Sequence, residues 1–207
     1  MKLIHLSDLH LGKRVNGFSM TDDQKYILEQ ILDITADECP DGVMICGDVY
    51  DKSVPSAEAV EIFDDFLVRL ADLKVQVFII SGNHDSPERL SFGGRIFDRS
   101  GIHIAPVYNG QVAPFFLEDE YGKAGIYMLP FIKPSMVRGF FPDEKTDSYT
   151  DAVRCAVKNI HPDLSIRNIL LTHQFVTGAQ RSESEEISVG GTDNVDASVF
   201  DAFDYVA

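Results

Sequence analysis

Three mainly apolar runs in the first half of the chain alternate with two amphipathic segments. The runs are KLIHLSD, GVMICGD and VQVFIIS, at residues 2–8, 42–48 and 75–81, and each ends in polar residues. Apolar runs of this length are typical of strands buried on both faces of a sheet. Strands that alternate with helices indicate parallel pairing through right-handed crossovers. The pattern therefore predicts an α/β fold whose first sheet is parallel.

The two amphipathic segments predict helices that pack on this sheet. The first, TDDQKYILEQILDITADEC, opens with Thr21 as the expected N-cap and places Ile27, Ile31 and Ile34 on one face. The second covers residues 55–72 and has a single apolar stripe opposite its charged side chains. That stripe consists of Ala59, Ile62, Phe63, Phe66, Leu67 and Leu70. We expect these stripes to be buried core surface.

After residue 100 the apolar runs become shorter and turn residues more frequent. IHIAPV, QVAPFFLE and AGIYMLPF predict short strands in antiparallel or mixed pairing. DSYTDAVRCAVKNIH predicts a helix, IRNILLTH another buried strand, and FDYVA the start of a further strand. Residues 177–194 are poor in apolar side chains and rich in Gly and Ser, which predicts a long mobile loop.

Composition narrows the class of protein. The 207 residues, 44% of them hydrophobic, suit one compact α/β domain, or one and a half, with a sizeable core. The net charge of −15 argues against undirected adhesion to nucleic acid or anionic membranes, but not against a phosphate-bearing substrate held by cations. No apolar run reaches the about 20 residues that span a bilayer, and polar residues interrupt the N-terminal run where a signal peptide would be apolar. The three cysteines lack metal-type or redox-type spacing, so a reduced, cytoplasmic protein without membrane association is expected.

Four of the predicted strands end in side chains that can bind metals. These side chains are Asp8, His10, Asp48, Asn83 and His173. Each alone is more often a cap or a surface hydrogen-bonding group. Parallel strands, however, deliver their carboxyl ends to one edge of a sheet, where ligands bind. Oxygen and imidazole donors without thiolate suit Mn²⁺, Fe or Zn²⁺ in a hydrolytic site. We expect two cations bridged by Asp48, with Asp8 and His10 on one ion and Asn83 and His173 on the other.

The residues after the third strand predict groups that act on a substrate. Neighbouring side chains on extended backbone point in opposite directions, so His84 is expected to face the substrate as a charge-stabilising group or a general acid. Asp51 is expected to orient the His84 imidazole. Ser86 is expected to cap a short helix beginning at Pro87, and Ser86 and Arg89 are candidate contacts to phosphate.

The motifs DLH, GDVYD, GNHD and TH, in this order, resemble those of the calcineurin-like metallophosphoesterase superfamily. The resemblance implies a two-metal phosphoesterase on a sandwich of two mixed β-sheets flanked by helices, classed as α/β (α+β in some schemes). Longer stretches, HLSDLHLGK, GNHDSPERL and SESEEISVGGTDNVDASVFDAFDYVA, resemble the SbcD family of bacterial nucleases over essentially the whole chain.

The resemblance to the SbcD family implies more than the residues show. Its members are Mn²⁺-dependent DNA exonucleases and endonucleases that act on double-strand ends and hairpins in DNA repair, recombination and replication. They pair as homodimers and work with a SbcC-type coiled-coil ATPase. By motif, the metal ligands are the five named above and His84 is the catalytic histidine. The family pattern continues past FDYVA into a Gly-His-x-His element, so residues 1–207 are expected to be a nuclease core that ends before its last ligands, without the capping and SbcC-binding regions.

Two other functions stay open from the residues. One is a different binuclear metallophosphoesterase that acts on phosphoproteins or on small phosphodiesters such as cyclic nucleotides. A protein phosphatase is disfavoured, because Lys52 and Ser53 follow Asp51 where Arg-Gly would be expected. The other is a non-catalytic module that has kept the fold, against which the full set of candidate ligands argues.

Overall fold

The computed structural model describes residues 1–178 and 194–207 of the chain. The strands are β1 (Leu3–Leu6), β2 (Arg14–Val15), β3 (Phe18–Ser19), β4 (Gly42–Cys46), β5 (Gln76–Ile80), β6 (Ile102–Ile104), β7 (Pro114–Asp119), β8 (Gly122–Leu129), β9 (Arg167–Thr172) and β10 (Tyr205–Val206). The helices are α1 (Thr21–Glu38), α2 (Ala57–Asp72), α3 (Pro87–Leu90), α4 (Gly94–Phe97), α5 (Pro134–Arg138) and α6 (Tyr149–Lys158), with 3₁₀ turns at Asp98–Ser100 and Ala197–Phe200. Most of the loop predicted over residues 177–194 lies outside the described residues.

The strands form two four-stranded sheets and a small hairpin. The first sheet has the order β1-β4-β5-β6 with parallel pairing throughout, which confirms the prediction for its first three strands. The second sheet has the order β10-β9-β8-β7, in which β7 and β8 are antiparallel and the other pairs are parallel. Strands β2 and β3 pair as a separate hairpin. The fold class is α/β with two main sheets flanked by helices, as predicted, although only the second sheet is mixed and the first is parallel throughout.

Strand β6 differs from its prediction as an antiparallel or mixed strand. It adds to the free edge of β5 as a fourth parallel strand. Its three residues are too few to show a pairing preference in the sequence. Between β5 and β6, the short helices and the 3₁₀ turn return the chain to the edge of the sheet where β5 begins. Strand β6 can therefore run parallel to β5.

The two sheets stack face to face between layers of helices. Along β4, Val43 and Ile45 pack in the cluster that joins the first sheet to α1 and α2. The alternate residues Met44 and Cys46 pack in the cluster between the sheets. A third cluster joins the outer face of the second sheet to α5 and α6. Burial on both faces explains the apolar runs of β4 and β5, whereas β1 is only partly buried and its His5 is exposed.

Helix α1 buries a different face from the predicted one. Its buried residues are Thr21, Leu28, Leu32 and Thr35. Of the three isoleucines expected to be buried, Ile27 and Ile34 are exposed, whereas Ile31 is partly buried and packs against the core. Both sets share the same helical spacing, so periodicity alone could not separate them, and packing against the first sheet and α2 selects the leucine face. Thr21 is the first helical residue rather than the cap, which is Met20 without a side-chain hydrogen bond.

Helix α2 confirms its predicted apolar stripe, and it begins at Ala57, two residues after the predicted start. All six stripe residues are buried, with Phe66 2% and Leu70 0% exposed. The Ser56 hydroxyl caps the helix by accepting a hydrogen bond from the Ala59 N–H at 3.2 Å. Cys46 is a buried free thiol, as its apolar run predicts, and burial raises its pKa. Within the described parts of the chain, every helix is too short or too polar to cross a membrane.

Candidate metal centre

The carboxyl ends of β1, β4, β5 and β9 bring their polar side chains to one carboxylate oxygen, Oδ2 of Asp48. The Nε2 atoms of three imidazoles surround this oxygen. That of His173 lies at 3.5 Å, that of His10 at 3.7 Å and that of His84 at 3.9 Å. His10 Nε2 is also 3.6 Å from Oδ1 of Asp8. The expected convergence of strand ends therefore places five of the predicted site residues around one point.

Asn83 lies beside His173. Its Oδ1 is 3.1 Å from Nε2 of His173. The expectation that Asn83 and His84 point in opposite directions is wrong, because both side chains face the Asp48 region. The alternation rule applies to extended strands, whereas β5 ends at Ile80 and residues 83–85 form a bend.

Asp48 is nearly buried, and its two carboxylate oxygens have different surroundings. The side chain is 4% exposed, and Oδ1 accepts a hydrogen bond from the backbone N–H of His84 at 2.9 Å. Burial raises the pKa of Asp48, but the contact with His173 and the His84 N–H outweigh it and leave the pKa below its usual value. Oδ1 thus accepts a hydrogen bond from the backbone. Oδ2 faces the imidazoles as a charged carboxylate oxygen that can bind a metal ion.

Pairing also shifts the pKa values of the neighbouring donors. The contact with His10 lowers the pKa of Asp8 to about 2. The same contact raises the pKa of His10, against the effect of burial. Burial lowers the pKa of His173, but its contact with Asp48 gives a net raised value. The carboxylates of Asp8 and Asp48 are therefore each stabilised in their charged form by an imidazole.

Three of the site residues have a strained backbone. Asp8, His10 and Asp48 have φ angles of 58°, 43° and 48°, in the left-handed region that residues other than Gly seldom adopt. Hydrogen bonds between the two loops hold this conformation, including His10 N–H to Asp48 O at 2.9 Å and Asp8 N–H to Gly47 O at 3.1 Å. Such strain is maintained where the surrounding structure fixes it, and it is common at functional sites.

Two glycines make room for the donors. A Cβ atom on Gly82 would lie 2.1 Å from Oδ1 of Asp48, and one on Gly47 would lie 2.5 Å from Nδ1 of His173. Gly47 also has a φ of +95°. The close approach of three loops around Asp48 thus depends on the missing side chains at both positions.

Backbone carbonyls fix the orientation of two imidazoles. Nδ1–H of His173 donates to Cys46 O at 2.8 Å, and Nδ1–H of His84 donates to Asp51 O at 3.0 Å. In both rings Nε2 therefore points towards Asp48, and in His173 it also contacts Asn83 Oδ1, so its lone pair would be directed at a cation held between these oxygens. The prediction that Asp51 orients His84 needs correction, because its backbone carbonyl makes the contact. Its carboxylate lies instead near His10, with 3.8 Å between Oδ1 and Nδ1.

Asp85 is a positioning residue whose role the sequence did not reveal. Its buried carboxylate accepts three hydrogen bonds from backbone N–H groups: Gly82 at 2.9 Å, Tyr50 at 2.9 Å and Val49 at 3.1 Å. Burial raises its pKa, and these three hydrogen bonds act in the opposite direction. Asp85 therefore joins the loop after β5 to the loop that carries Asp48.

Gln24 on α1 fixes the loop after β1 in a similar way. Its side-chain amide donates to His10 O at 2.7 Å and to Leu9 O at 3.1 Å, and its carbonyl accepts from Gly12 N–H at 3.0 Å. Nothing in the spacing of the sequence singles Gln24 out, because a glutamine near the start of a helix is common.

The candidate phosphate contacts Ser86 and Arg89 lie at an open surface pocket, together with Glu88 and Phe92. Ser86 caps α3, as predicted, by accepting from Arg89 N–H at 3.4 Å, and its hydroxyl donates to Glu88 Oε2 at 2.9 Å. The Ser86 hydroxyl thus already has partners within the protein.

The donor atoms fit two divalent cations. One group consists of His10, Asp48 and His84, the other of Asp8, Asp48 and His173, and in each the donor atoms lie within 4.8 Å of one another. This division differs from the expected pairing of Asp8 with His10, and Asp48 is the member common to both groups. Carboxylate and imidazole donors suit Mn²⁺, Fe or Zn²⁺.

Comparison with known proteins gives one family match. A family model described as calcineurin-like phosphoesterase matches residues 1–198. Among solved structures, one crystal structure superposes with a TM-score of 0.48 at 12% sequence identity, over 89% of this chain and 74% of that one. The family match spans nearly the whole sequence and includes every donor described above.

Proposed function

Because the chain belongs to the calcineurin-like phosphoesterase family, we propose that it is a metal-dependent DNA nuclease that hydrolyses phosphodiester bonds at double-strand ends and hairpins. The family and the two donor groups support a metal-dependent phosphoesterase. DNA as the substrate is proposed from the longer stretches that resemble the SbcD family. The observation that carries the proposal is the pair of donor groups that share Asp48 at an open sheet edge.

In this proposal five side chains hold two divalent cations, with Mn²⁺ as the expected metal. They are Asp8, His10, Asp48, Asn83 and His173. The bound cations would polarise the phosphate and activate a water molecule for attack. His84 acts on the substrate: its Nδ1–H is engaged by Asp51 O, so Nε2 is free to stabilise phosphoryl charge or to protonate the leaving oxygen.

The exposure of the site supports a large substrate. Asp48 is nearly buried, but the side chain of Asp8 is 57% exposed and that of His84 is 44% exposed. A groove that includes Arg14 and Lys52 in its lining reaches Asp51 at the edge of the site. The chain has a net charge of −15, so the attraction of a DNA backbone would depend on local positive charge. Arg14, Lys52 and the bound metal ions would supply that charge.

The longer stretches that resemble the SbcD family support the cellular context. We propose that residues 1–207 form the nuclease core, that the protein acts as a homodimer in the cytoplasm, and that a SbcC-type coiled-coil ATPase is its partner in DNA repair. The exposed side chains of Tyr26, Ile27 and Ile34 on α1 offer apolar surface to a second copy.

Cleavage assays on three substrates test the proposal. The full chain is incubated with Mn²⁺ and linear duplex DNA, hairpin DNA or a small chromogenic phosphodiester, with EDTA in parallel. We expect metal-dependent cleavage of both DNA substrates, and a rate about 10²–10⁴-fold lower for a His84→Ala variant, which controls for a contaminating nuclease. Turnover of the small phosphodiester without DNA cleavage would contradict the nuclease proposal, and inactivity on all three would favour a non-catalytic module.

A further inference from the structure

The three imidazoles around Asp48 differ in the hydrogen-bond partner of Nδ1. His173 and His84 each donate Nδ1–H to a backbone carbonyl, Cys46 O and Asp51 O respectively. For His10, Nδ1 is buried and has no hydrogen-bond partner among residues 1–178 and 194–207. Its Nε2 lies 3.7 Å from Asp48 Oδ2, which the Nε2 atoms of the other two rings also face, and 3.6 Å from Asp8 Oδ1.

The chemistry of a metal-binding imidazole requires a partner at this position. When Nε2 gives its lone pair to a cation, the proton of the neutral ring is on Nδ1. A buried N–H needs an acceptor, and metal-binding histidines almost always donate this hydrogen to a carboxylate, a carbonyl or water. His10 Nδ1 therefore marks a position where an acceptor is needed.

The Asp51 carboxylate is placed to supply that acceptor. Its Oδ1 is 3.8 Å from His10 Nδ1, and its side chain is 22% exposed. A side-chain rotation that shortens the distance by roughly 1 Å gives a normal N–H···O hydrogen bond. Leu11 fixes the backbone at this point, since Asp51 N–H donates to Leu11 O at 3.1 Å and Leu11 N–H donates to Val49 O at 2.9 Å.

We propose that Asp51 is the positioning residue of His10: its carboxylate accepts the Nδ1–H of that ring when Nε2 binds a cation. The inference rests on the proposed metal centre and assigns the Asp51 side chain to His10 rather than to His84. The carboxylate fixes the tautomer and orientation of the ring and makes Nε2 a stronger donor. His84 keeps its own partner in any variant, because that partner is the backbone carbonyl of residue 51.

Calorimetric titration with Mn²⁺ tests this assignment without any substrate. Loss of a hydrogen-bond partner to a metal-binding histidine typically lowers metal affinity by about 10–100-fold, so Asp51→Ala should show this loss at one site. Asp51→Asn keeps a neutral acceptor of nearly the same shape and should retain most of the affinity. Glu61→Ala, which removes an exposed carboxylate from α2, is the matched control and should leave affinity unchanged. Urea unfolding of each variant confirms that the fold is intact.

Nuclease rates at increasing Mn²⁺ concentration separate the two possible roles of Asp51. A residue that acts through His10 changes metal affinity, so saturating Mn²⁺ should restore most of the Asp51→Ala rate. Unchanged Mn²⁺ affinity, together with a rate loss that Mn²⁺ does not restore, would overturn the inference and assign the carboxylate to His84 or the substrate. Absence of Mn²⁺ binding by the unaltered protein would instead refute the metal centre on which the proposed function depends.

Discussion

The backbone N–H of His84 donates a 2.9 Å hydrogen bond to Oδ1 of Asp48. This bond joins the loop after β5 to the loop after β4 and gives one oxygen of the buried carboxylate a fixed partner. The other oxygen, Oδ2, is left facing the three imidazoles. The geometry of the site thus depends on backbone hydrogen bonds as much as on the side chains that can bind metal ions.

The Asp85→Ala variant should be destabilised. Asp85 accepts hydrogen bonds from the N–H groups of Gly82, Val49 and Tyr50, and each buried N–H left without an acceptor costs about 1–3 kcal/mol. We expect the free energy of unfolding, measured in urea, to fall by on the order of 3 kcal/mol, since such costs are not fully additive. Asp72→Ala, at the exposed end of α2, is the control. A loss no larger than that of the control would show that Asp85 does not hold the two loops together.

Gly82→Ala should weaken metal binding. The added Cβ would lie 2.1 Å from Oδ1 of Asp48, so the carboxylate or its loop must shift. Gly139→Ala is the matched control, because Gly139 has a φ of −63° and its nearest neighbour would be 3.5 Å away. We expect calorimetry to show reduced Mn²⁺ affinity for Gly82→Ala alone. Equal affinities in the two variants would indicate that the Asp48 position tolerates displacement.

His84 and Asn83 should respond differently to substitution, although they are adjacent. If His84 acts on the substrate, His84→Ala should retain Mn²⁺ affinity and lose about 10²–10⁴-fold in cleavage rate. Asn83→Ala should lose Mn²⁺ affinity, and excess Mn²⁺ should partly restore its rate. His84 belongs to one of the two groups whose donor atoms could hold a metal ion, so its role as a ligand has to be tested against its role on the substrate. Loss of metal by His84→Ala that excess Mn²⁺ reverses would make His84 a ligand.

The sequence predicted the parts of the fold that rest on strong local patterns. The apolar runs of β1, β4 and β5 identified a parallel sheet, and their polar ends identified the edge where Asp8, Asp48 and Asn83 meet. The stripe of α2 was also predicted correctly, because six apolar residues on one face leave no alternative. These features depend on hydrophobic periodicity and on the alternation of strands with helices, both of which can be read from a single sequence.

The remaining features depend on tertiary contacts. Two faces of α1 have the same spacing of apolar residues, and only packing decides between Ile27 and Leu28. The roles of Asp85 and Gln24 depend on which backbone N–H and C=O groups lie nearby after folding. The same is true of Asp51, whose backbone contacts His84 while its side chain lies near His10.

Titration of Mn²⁺ into the unaltered protein and into Asp48→Asn tests the two-cation centre most directly. Asparagine keeps an acceptor for the His84 N–H, so circular dichroism and the melting temperature should confirm a native fold. Because Asp48 belongs to both donor groups, we predict that the unaltered protein binds two Mn²⁺ ions and that affinity for both falls sharply in the variant. Binding of both ions by folded Asp48→Asn with unchanged affinity would contradict the account.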